Sequence, residues 1–186
     1  FSNTLKSNEK FKLPVQSEFE FFYFDSIRKM RDEILKKDEE HGLARLIAGF
    51  SWDWKTKEKK ATENHDIEID GLQLKWNSKK ADWINSSNSS FEVGSIHTTQ
   101  GYDLNFCGII FGKEIDYDLI NQKFVFYRNE YKDKNGKYGV TSDDLLLRYL
   151  LNIYKTFILR GIKGCYVFAV NAGMKQYLKK HIDSFS

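Results

Sequence analysis

The sequence predicts an α/β domain with a mainly parallel sheet flanked by helices. Short strand-like runs alternate with longer stretches whose apolar residues recur at helical spacing. Two of the runs, ARLIAGF (44–50) and CYVFAV (165–170), are apolar on both faces, as strands are when helices cover both sides of a sheet. A long amphipathic stretch, 142–158, supplies a helix able to cover one such face.

Composition narrows the classes. The chain has 186 residues, enough for one domain with an appendage, and 41% of them are apolar, so a sizeable core is expected rather than disorder. Lys and Arg number 29 against 26 Asp and Glu, a net charge of +3 that is too small to declare a nucleic-acid binder by itself. Two cysteines, Cys107 and Cys165, make neither a disulfide framework nor a four-thiolate zinc site. They fall in strand-like runs and are expected to be small core residues. No apolar run reaches the roughly 20 residues that cross a bilayer. No membrane partner is expected, and the setting is read as cytoplasmic and reducing. The start, FSNTLKSNEK, has neither an initiator Met nor a signal-peptide core, and reads as the beginning of a piece of a longer polypeptide.

The elements follow in order. Residues 1–17 are polar, hold the single proline (Pro14), and read as a linker; residues 18–186 form the domain. Glu18 to Asp25 (EFEFFYFD) suits a strand. Ser26 to Glu40 carries Ile27, Met30, Ile34 and Leu35 at helical spacing, with Gly42 as the stop. ARLIAGF is a buried strand, Trp52 to His65 a charged loop, and DIEIDGLQLKW (66–76) one or two strands. SSNSS (86–90) is loop, and Phe91 to Ile96 and Phe106 to Phe111 are strands flanking HTTQGYDLN. Lys123 to Tyr127 reads as a hairpin arm, and Arg128 to Val140 as a mobile polar loop. Ser142 reads as an N-cap with Asp143 and Asp144 complementing the helix dipole. Leu145, Leu146, Tyr149, Leu150, Ile153, Tyr154, Phe157 and Ile158 then form a stripe. CYVFAV is a strand, and Asn171 a cap for a last helix to about Ile182. Ligands of such sheets are expected at the carboxyl ends of the strands.

Much familiar chemistry is absent. Gly112-Lys113 is followed by Glu114 and Gly136-Lys137 by Tyr138, so no P-loop can form. GxSxG, HExxH, CxxC and EF-hand patterns are missing, and His41, His65, His97 and His181 have no metal-ligand spacing. No metal ligands are assigned, and this chain alone is not expected to be a complete enzyme.

Two segments carry a signal. EVGSIHTTQGYDLNFCGIIFG (92–112) sets Ser95, His97, Thr98, Thr99, Gln100 and Gly101 between two strands, with Asp103 just beyond. Polar side chains and a glycine at a strand end suit a phosphate or a base edge; an ordinary crossover loop has the same composition. YKTFILRGIKGCYVFAV (154–170) puts Arg160 at the end of an amphipathic helix, before a glycine and a buried strand. By itself this reads as a cation complementing the helix dipole.

Together the segments resemble motifs V and VI of superfamily 1 helicases, and most closely the Schlafen group 3-type DNA/RNA helicase family of bacteria. That pattern runs Arg-Leu-(Ile/Leu)-Ala-Gly then Trp-x-Trp, a Trp-Asn pair, Glu-Val-Gly-x-Ile-His-Thr-x-Gln-Gly, and Asn-x-Tyr followed by Arg-Gly-x-(Lys/Arg)-Gly-Cys-Tyr. The matches are Arg45 to Gly49 with Trp52 and Trp54, Trp76-Asn77, Glu92 to Gly101, and Asn152 to Tyr166, in the same order. Two departures stand out. Tyr102-Asp103 replaces a Leu-Glu, and Leu159 occupies the position of a Thr before the arginine.

The resemblance implies a RecA-like fold, the second motor domain of a P-loop NTPase superfamily protein. Motif V-like residues are 92–105 and motif VI-like residues 152–166. It implies a partner, an N-terminal RecA-like domain of the same parent, which would hold ATP and Mg in the shared cleft. Arg160 would be an arginine finger, since a planar, permanently charged guanidinium suits charge developing on a transferring phosphoryl group. Gln100, Gly101 and Asp103 would lie on the nucleotide side. Ser95, His97 and Thr98 would contact a nucleic-acid phosphate of single-stranded DNA or RNA. Arg45 would approach a phosphate or pair with a nearby carboxylate, and Trp52 and Trp54 would stack on bases, sit in the core or anchor their loop. Lys55, Lys57, Lys59 and Lys60 would follow a backbone or form a solvated loop. The parent would be a nucleic-acid-dependent ATPase or helicase; the alternative is a non-translocating ATP switch or nucleic-acid-binding module of a bacterial defence or regulatory system.

Overall fold

The computed structural model describes residues 18–57 and 64–185. The expected linker and two of the loop lysines, Lys59 and Lys60, lie outside the described residues. The elements are β1 (Glu20–Tyr23), α1 (Ile27–His41), β2 (Ala44–Ala48), β3 (Ile67–Ile69), β4 (Leu72–Trp76), β5 (Glu92–Gly94) and α2 (Ile96–Thr99). They continue with β6 (Leu104–Phe111), β7 (Ile115–Asp118), β8 (Lys123–Phe126), α3 (Lys134–Lys137), α4 (Asp143–Ile158), β9 (Gly161–Ala169) and α5 (Ala172–His181).

Seven strands form one sheet in the order β1-β9-β6-β2-β5-β4-β3. All neighbours are parallel except β3 and β4, which form a hairpin. Its turn is Asp70-Gly71, both left-handed at φ 50° and 72°, as a two-residue hairpin turn with the right strand twist requires. β7 and β8 make a separate two-stranded ribbon.

The central strands are apolar on both faces because both are covered. Cys107, Ile109 and Phe111 of β6, with Cys165, Val167 and Ala169 of β9, pack with Leu150, Tyr154 and Phe157 of α4 and with Met174 and Tyr177 of α5. The alternate residues Phe106, Ile110, Tyr166 and Phe168 pack on the other side with Ile27, Met30 and Ile34 of α1. Both cysteines are free and buried, as expected.

Helix ends follow their sequence signals. The Ser26 and Ser142 hydroxyls accept from the backbone N–H of Lys29 and Leu145, and α1 stops at Gly42, at φ 67°. The α4 stripe is narrower than its sequence implies, for Tyr149 is exposed while Leu146, Leu150, Tyr154 and Phe157 are buried.

Four local expectations change. The 91–96 run is a strand only over β5; Phe91 lies outside it and is exposed, and Ile96 opens α2. β7 pairs with the expected hairpin arm but was not expected itself. The 128–140 stretch holds the buried Tyr131 and Asp133 and the turn α3, and Lys132 donates its backbone N–H to Phe50 O at 2.7 Å. Asn171 does not cap α5 with its side chain, whose amide donates instead to the carbonyls of Lys113 and Ile115; Asp116 Oδ1 accepts from Met174 N at 2.7 Å in its place.

Candidate functional site

Arg160 follows the last turn of α4 and immediately precedes β9, just as Asp103 immediately precedes β6. Because Leu104 and Gly161 are register partners, the two side chains meet at the amino-terminal edge of the sheet. Arg160 Nη1 lies 3.6 Å from Asp103 Oδ1, with the arginine side chain 22% exposed and the aspartate 67%. The Arg160 carbonyl accepts from Leu104 N at 2.8 Å, which fixes the root of the guanidinium stem. Arg160 is therefore not sealed in the core, and its partner Asp103 lies two residues beyond Gly101. Gln100 and Gly101 lead into this edge, and Gly101 has φ 87° with open space where a side chain would begin. Only glycine adopts that backbone without strain.

This edge is the opposite one from that expected for a ligand of a parallel sheet. The carboxyl edge holds the second group of residues. Beyond the ends of β2, β4 and β5, a groove of about 700 Å³ is lined by Phe50, Trp52, Trp54, His97, Thr98 and a set of lysines. Phe50 stacks on Trp76 with ring centroids 5.2 Å apart and lies 5.8 Å from the His97 ring. His97 is exposed, and its Nε2 is 3.1 Å from Asp133 Oδ2, a contact that orients the imidazole. Asp133 is itself held by donation from Gly136 N.

Ser95 and Thr98 also line the groove, but their polar atoms are largely engaged within the turn. Ser95 N donates to Thr98 Oγ1 at 2.9 Å, the two hydroxyls are 3.3 Å apart, and Thr98 Oγ1 donates to Asn77 Oδ1 at 3.2 Å. They build the platform that presents His97. Trp52 is buried in the core on the α1 side and serves as groove wall; Trp54 is half-buried, with Lys57 Nζ 5.4 Å above its ring. Of the two tryptophans, Trp54 is the more exposed.

Arg45 joins neither group. It is buried in β2, donates to Asp38 Oδ1 at 2.6 Å and to the carbonyls of Ala44 and Ile84. Of its two readings, a phosphate contact or pairing with a nearby carboxylate, the structure shows the second, for Asp38 neutralises this guanidinium inside the fold. Burial works against the Asp38 charge, but donation from Ser90, Ala44 N and Arg45 holds its carboxyl below the ordinary aspartate range.

Sequence reasoning missed one buried acid. Glu114 is fully buried; it accepts from Tyr154 Oη at 2.5 Å and pairs closely with Ser51 Oγ. Burial pushes its carboxyl up to about 7 against the opposing pull of the Tyr154 hydrogen bond. Gly49 and Gly112 make room, for a Cβ at either would sit within 2.4 Å of its carboxylate. Asp133, Lys132 and Lys134 were missed as well. Their one signal was the lysine content of a stretch with no apolar period.

Fold and site define an α/β domain with a polar, arginine-bearing edge on one side of its sheet and an aromatic and basic groove on the other. The chain belongs to the family described as Schlafen group 3, DNA/RNA helicase domain, which matches residues 2–171. It is 26% identical over 169 residues to an uncharacterized protein of Saccharomyces cerevisiae, a match covering 86% of this chain and 36% of that protein. The similarity thus reaches a eukaryote, and the chain spans about a third of that relative. No solved structure matches. Among the described residues no helix is long and apolar enough to cross a membrane, and no group of three or more His, Cys, Asp or Glu could hold a metal ion.

Proposed function

We propose that this chain is the second, RecA-like half of a nucleic-acid-dependent ATPase, acting on ATP and Mg held by a partner domain of the same parent. The observation that carries the reading is the meeting of Arg160 and Asp103 on an open edge. A guanidinium paired to one exposed carboxylate at 3.6 Å is held loosely enough to exchange that partner for a phosphate. The residues present fit a nucleotide presented from outside. Arg160 offers permanent positive charge and Asp103 an acceptor for a hydroxyl, and the left-handed Gly101 lets the backbone approach closely. ATP supplies the phosphoryl group and Mg neutralises its oxygens. Arg160 would stabilise the charge that develops on transfer, and Asp103, one methylene shorter than the Glu of the pattern, would orient the nucleotide from the sugar side.

On the opposite edge, His97 and Trp54 would grip single-stranded DNA or RNA, the imidazole on a phosphate and the indole under a base, with the groove lysines following the backbone. The 95–103 segment joins the two edges directly. An ATP switch without translocation would use the same two edges, and strand displacement by the intact parent separates the two readings.

The test is Arg160→Ala in the full-length protein. Polynucleotide-stimulated ATP hydrolysis should fall by about 10³- to 10⁵-fold, the range arginine fingers contribute, while binding of a fluorescent ATP analogue persists. Unchanged hydrolysis would remove the finger assignment.

A further inference from the structure

We propose that the groove continues past Trp54 into a second base-binding subsite, in which the exposed ring of Phe91 stacks on a neighbouring base of the same single strand. This inference rests on the nucleic-acid reading of the first groove and deepens it.

A second hollow, of about 530 Å³, adjoins the first. Trp54, Lys57 and Lys80 line both, so the two are continuous, with the Trp54 indole at their junction. The far wall holds Phe91, which is 61% exposed. Phe91 closes a tight turn, its N–H donating to Asn88 O at 3.0 Å, and immediately precedes β5. The ring is therefore fixed at its root and open at its face. A large aromatic in water, beside a hollow, is the usual arrangement of a stacking platform, since every base has a π-face and ring contact is indifferent to sequence.

Charge identifies the occupant. Lys75, an outward-facing residue of β4, joins Lys57 and Lys80 in this hollow. The single carboxylate in the lining, Glu92, is 6% exposed and already accepts from Ser78 N at 2.9 Å and Trp83 Nε1 at 2.7 Å. Three exposed ammonium groups thus face one recessed, satisfied carboxylate. Aromatic faces alternating with lysines match a polyanion that carries flat rings. A duplex, whose bases are stacked on one another, offers no free ring to Trp54 or Phe91. Asn77 of the second hollow is tied to Thr98 of the first by donation from the Thr98 hydroxyl, and its own amide donates to Lys79 O. One hydrogen bond thus links the lining of the two subsites.

The experiment is fluorescence anisotropy with the full-length protein, using labelled oligothymidylate and oligouridylate of about 4 and about 12 nucleotides, within the range of single-strand site sizes, and a duplex of the longer length. Phe91→Ala should weaken binding of the long single strands by about 5- to 100-fold. It should leave the short ones, which the Trp54 subsite satisfies alone, within about twofold. Phe91→Trp should restore the loss. Lys75→Ala should lower the slope of log affinity against log salt by about 0.7, one phosphate contact on a single strand. Loss on DNA, on RNA or on both supports the subsite and assigns its sugar. Equal long-strand affinity in wild type and Phe91→Ala, with Trp54→Ala weakened, would overturn the second subsite alone. Failure of the wild-type protein to bind any single strand, or tighter binding of the duplex, would overturn the groove reading with it.

Discussion

Glu114→Gln tests the buried network of Glu114, Ser51 and Tyr154. The Glu114 carboxyl has no exposure, and burial raises it from 4.5 to about 7. In the unfolded chain it ionises near 4.5; in the folded one it keeps its proton until about pH 7. Between those values the folded state binds the extra proton, so stability falls as pH rises. Below 4.5 both states hold the proton and above 7 neither does, so the loss is confined to that window. The size is the shift times about 1.4 kcal/mol per pH unit, or about 3 kcal/mol. Gln keeps the shape, accepts from Tyr154 and donates to Ser51, and removes the ionisation. Urea unfolding of both proteins from pH 4 to 8 gives the difference in stability at each pH. That difference cancels the groups shared by both proteins. Glu20 and Asp38 are among them, with carboxyls held low, so their contributions are lost only in acid. The variant should gain about 3 kcal/mol relative to wild type on going from pH 4.5 to 8. A flat difference would mean that Glu114 is charged in the folded protein, and that Ser51 and Tyr154 hold a carboxylate.

Arg45→Ala should destabilise the fold by about 3 kcal/mol, because it strands Asp38 in a site that is mostly buried. The salt dependence of polynucleotide binding should remain that of wild type, and a reduced slope in titrations at several salt concentrations would return Arg45 to the interface. Gly94→Ala places a methyl 2.6 Å from the Trp83 ring and 2.9 Å from Thr99 Cγ2. Overpacking of this kind costs about 1 to 3 kcal/mol; a thermal melt within a degree of wild type would show that the turn yields freely.

Much of the sheet was legible because its physics is local. ARLIAGF and CYVFAV announce strands covered on both faces, and the structure covers them with α1 on one side and α4 and α5 on the other. The α4 start was readable from Ser142 with Asp143 and Asp144, and 66–76 read as one or two strands, which the left-handed Asp70-Gly71 turn folds into the β3–β4 hairpin. What escaped is decided by distant partners. IDYD (115–118) has no strong period and becomes β7 only because β8 folds back on it. KDKNGKYG reads as solvated loop, yet the backbone N–H of Lys132 belongs to Phe50 and Asp133 is buried against His97. Arg45 was ambiguous for the same reason, its carboxylate lying on α1 seven residues earlier. The 92–105 pattern pointed to polar contacts, but composition has no direction, and so the division of that segment between two opposite edges could not be read from it.

That division follows from how the chain must travel. β5 and β6 are parallel and both flank β2, so the chain leaving the carboxyl end of β5 has to return to the amino end of β6. It does so in the nine residues 95–103, too few for a long crossover helix, and the path runs against Trp83. Gly94 has no side chain to strike that indole. Ser95 and Thr98 cap one helical turn reciprocally, and Thr99 Oγ1 donates back to Ser95 O, so the turn needs no neighbour to satisfy its first donors. The left-handed Gly101 then redirects the chain into Tyr102 and Asp103. Each small or hydroxyl residue in GSIHTTQG thus answers a demand of the backbone, which leaves His97 exposed at one end of the segment and Gln100 and Asp103 exposed at the other. A short, internally bonded strut thus joins a basic aromatic groove to an arginine-bearing edge.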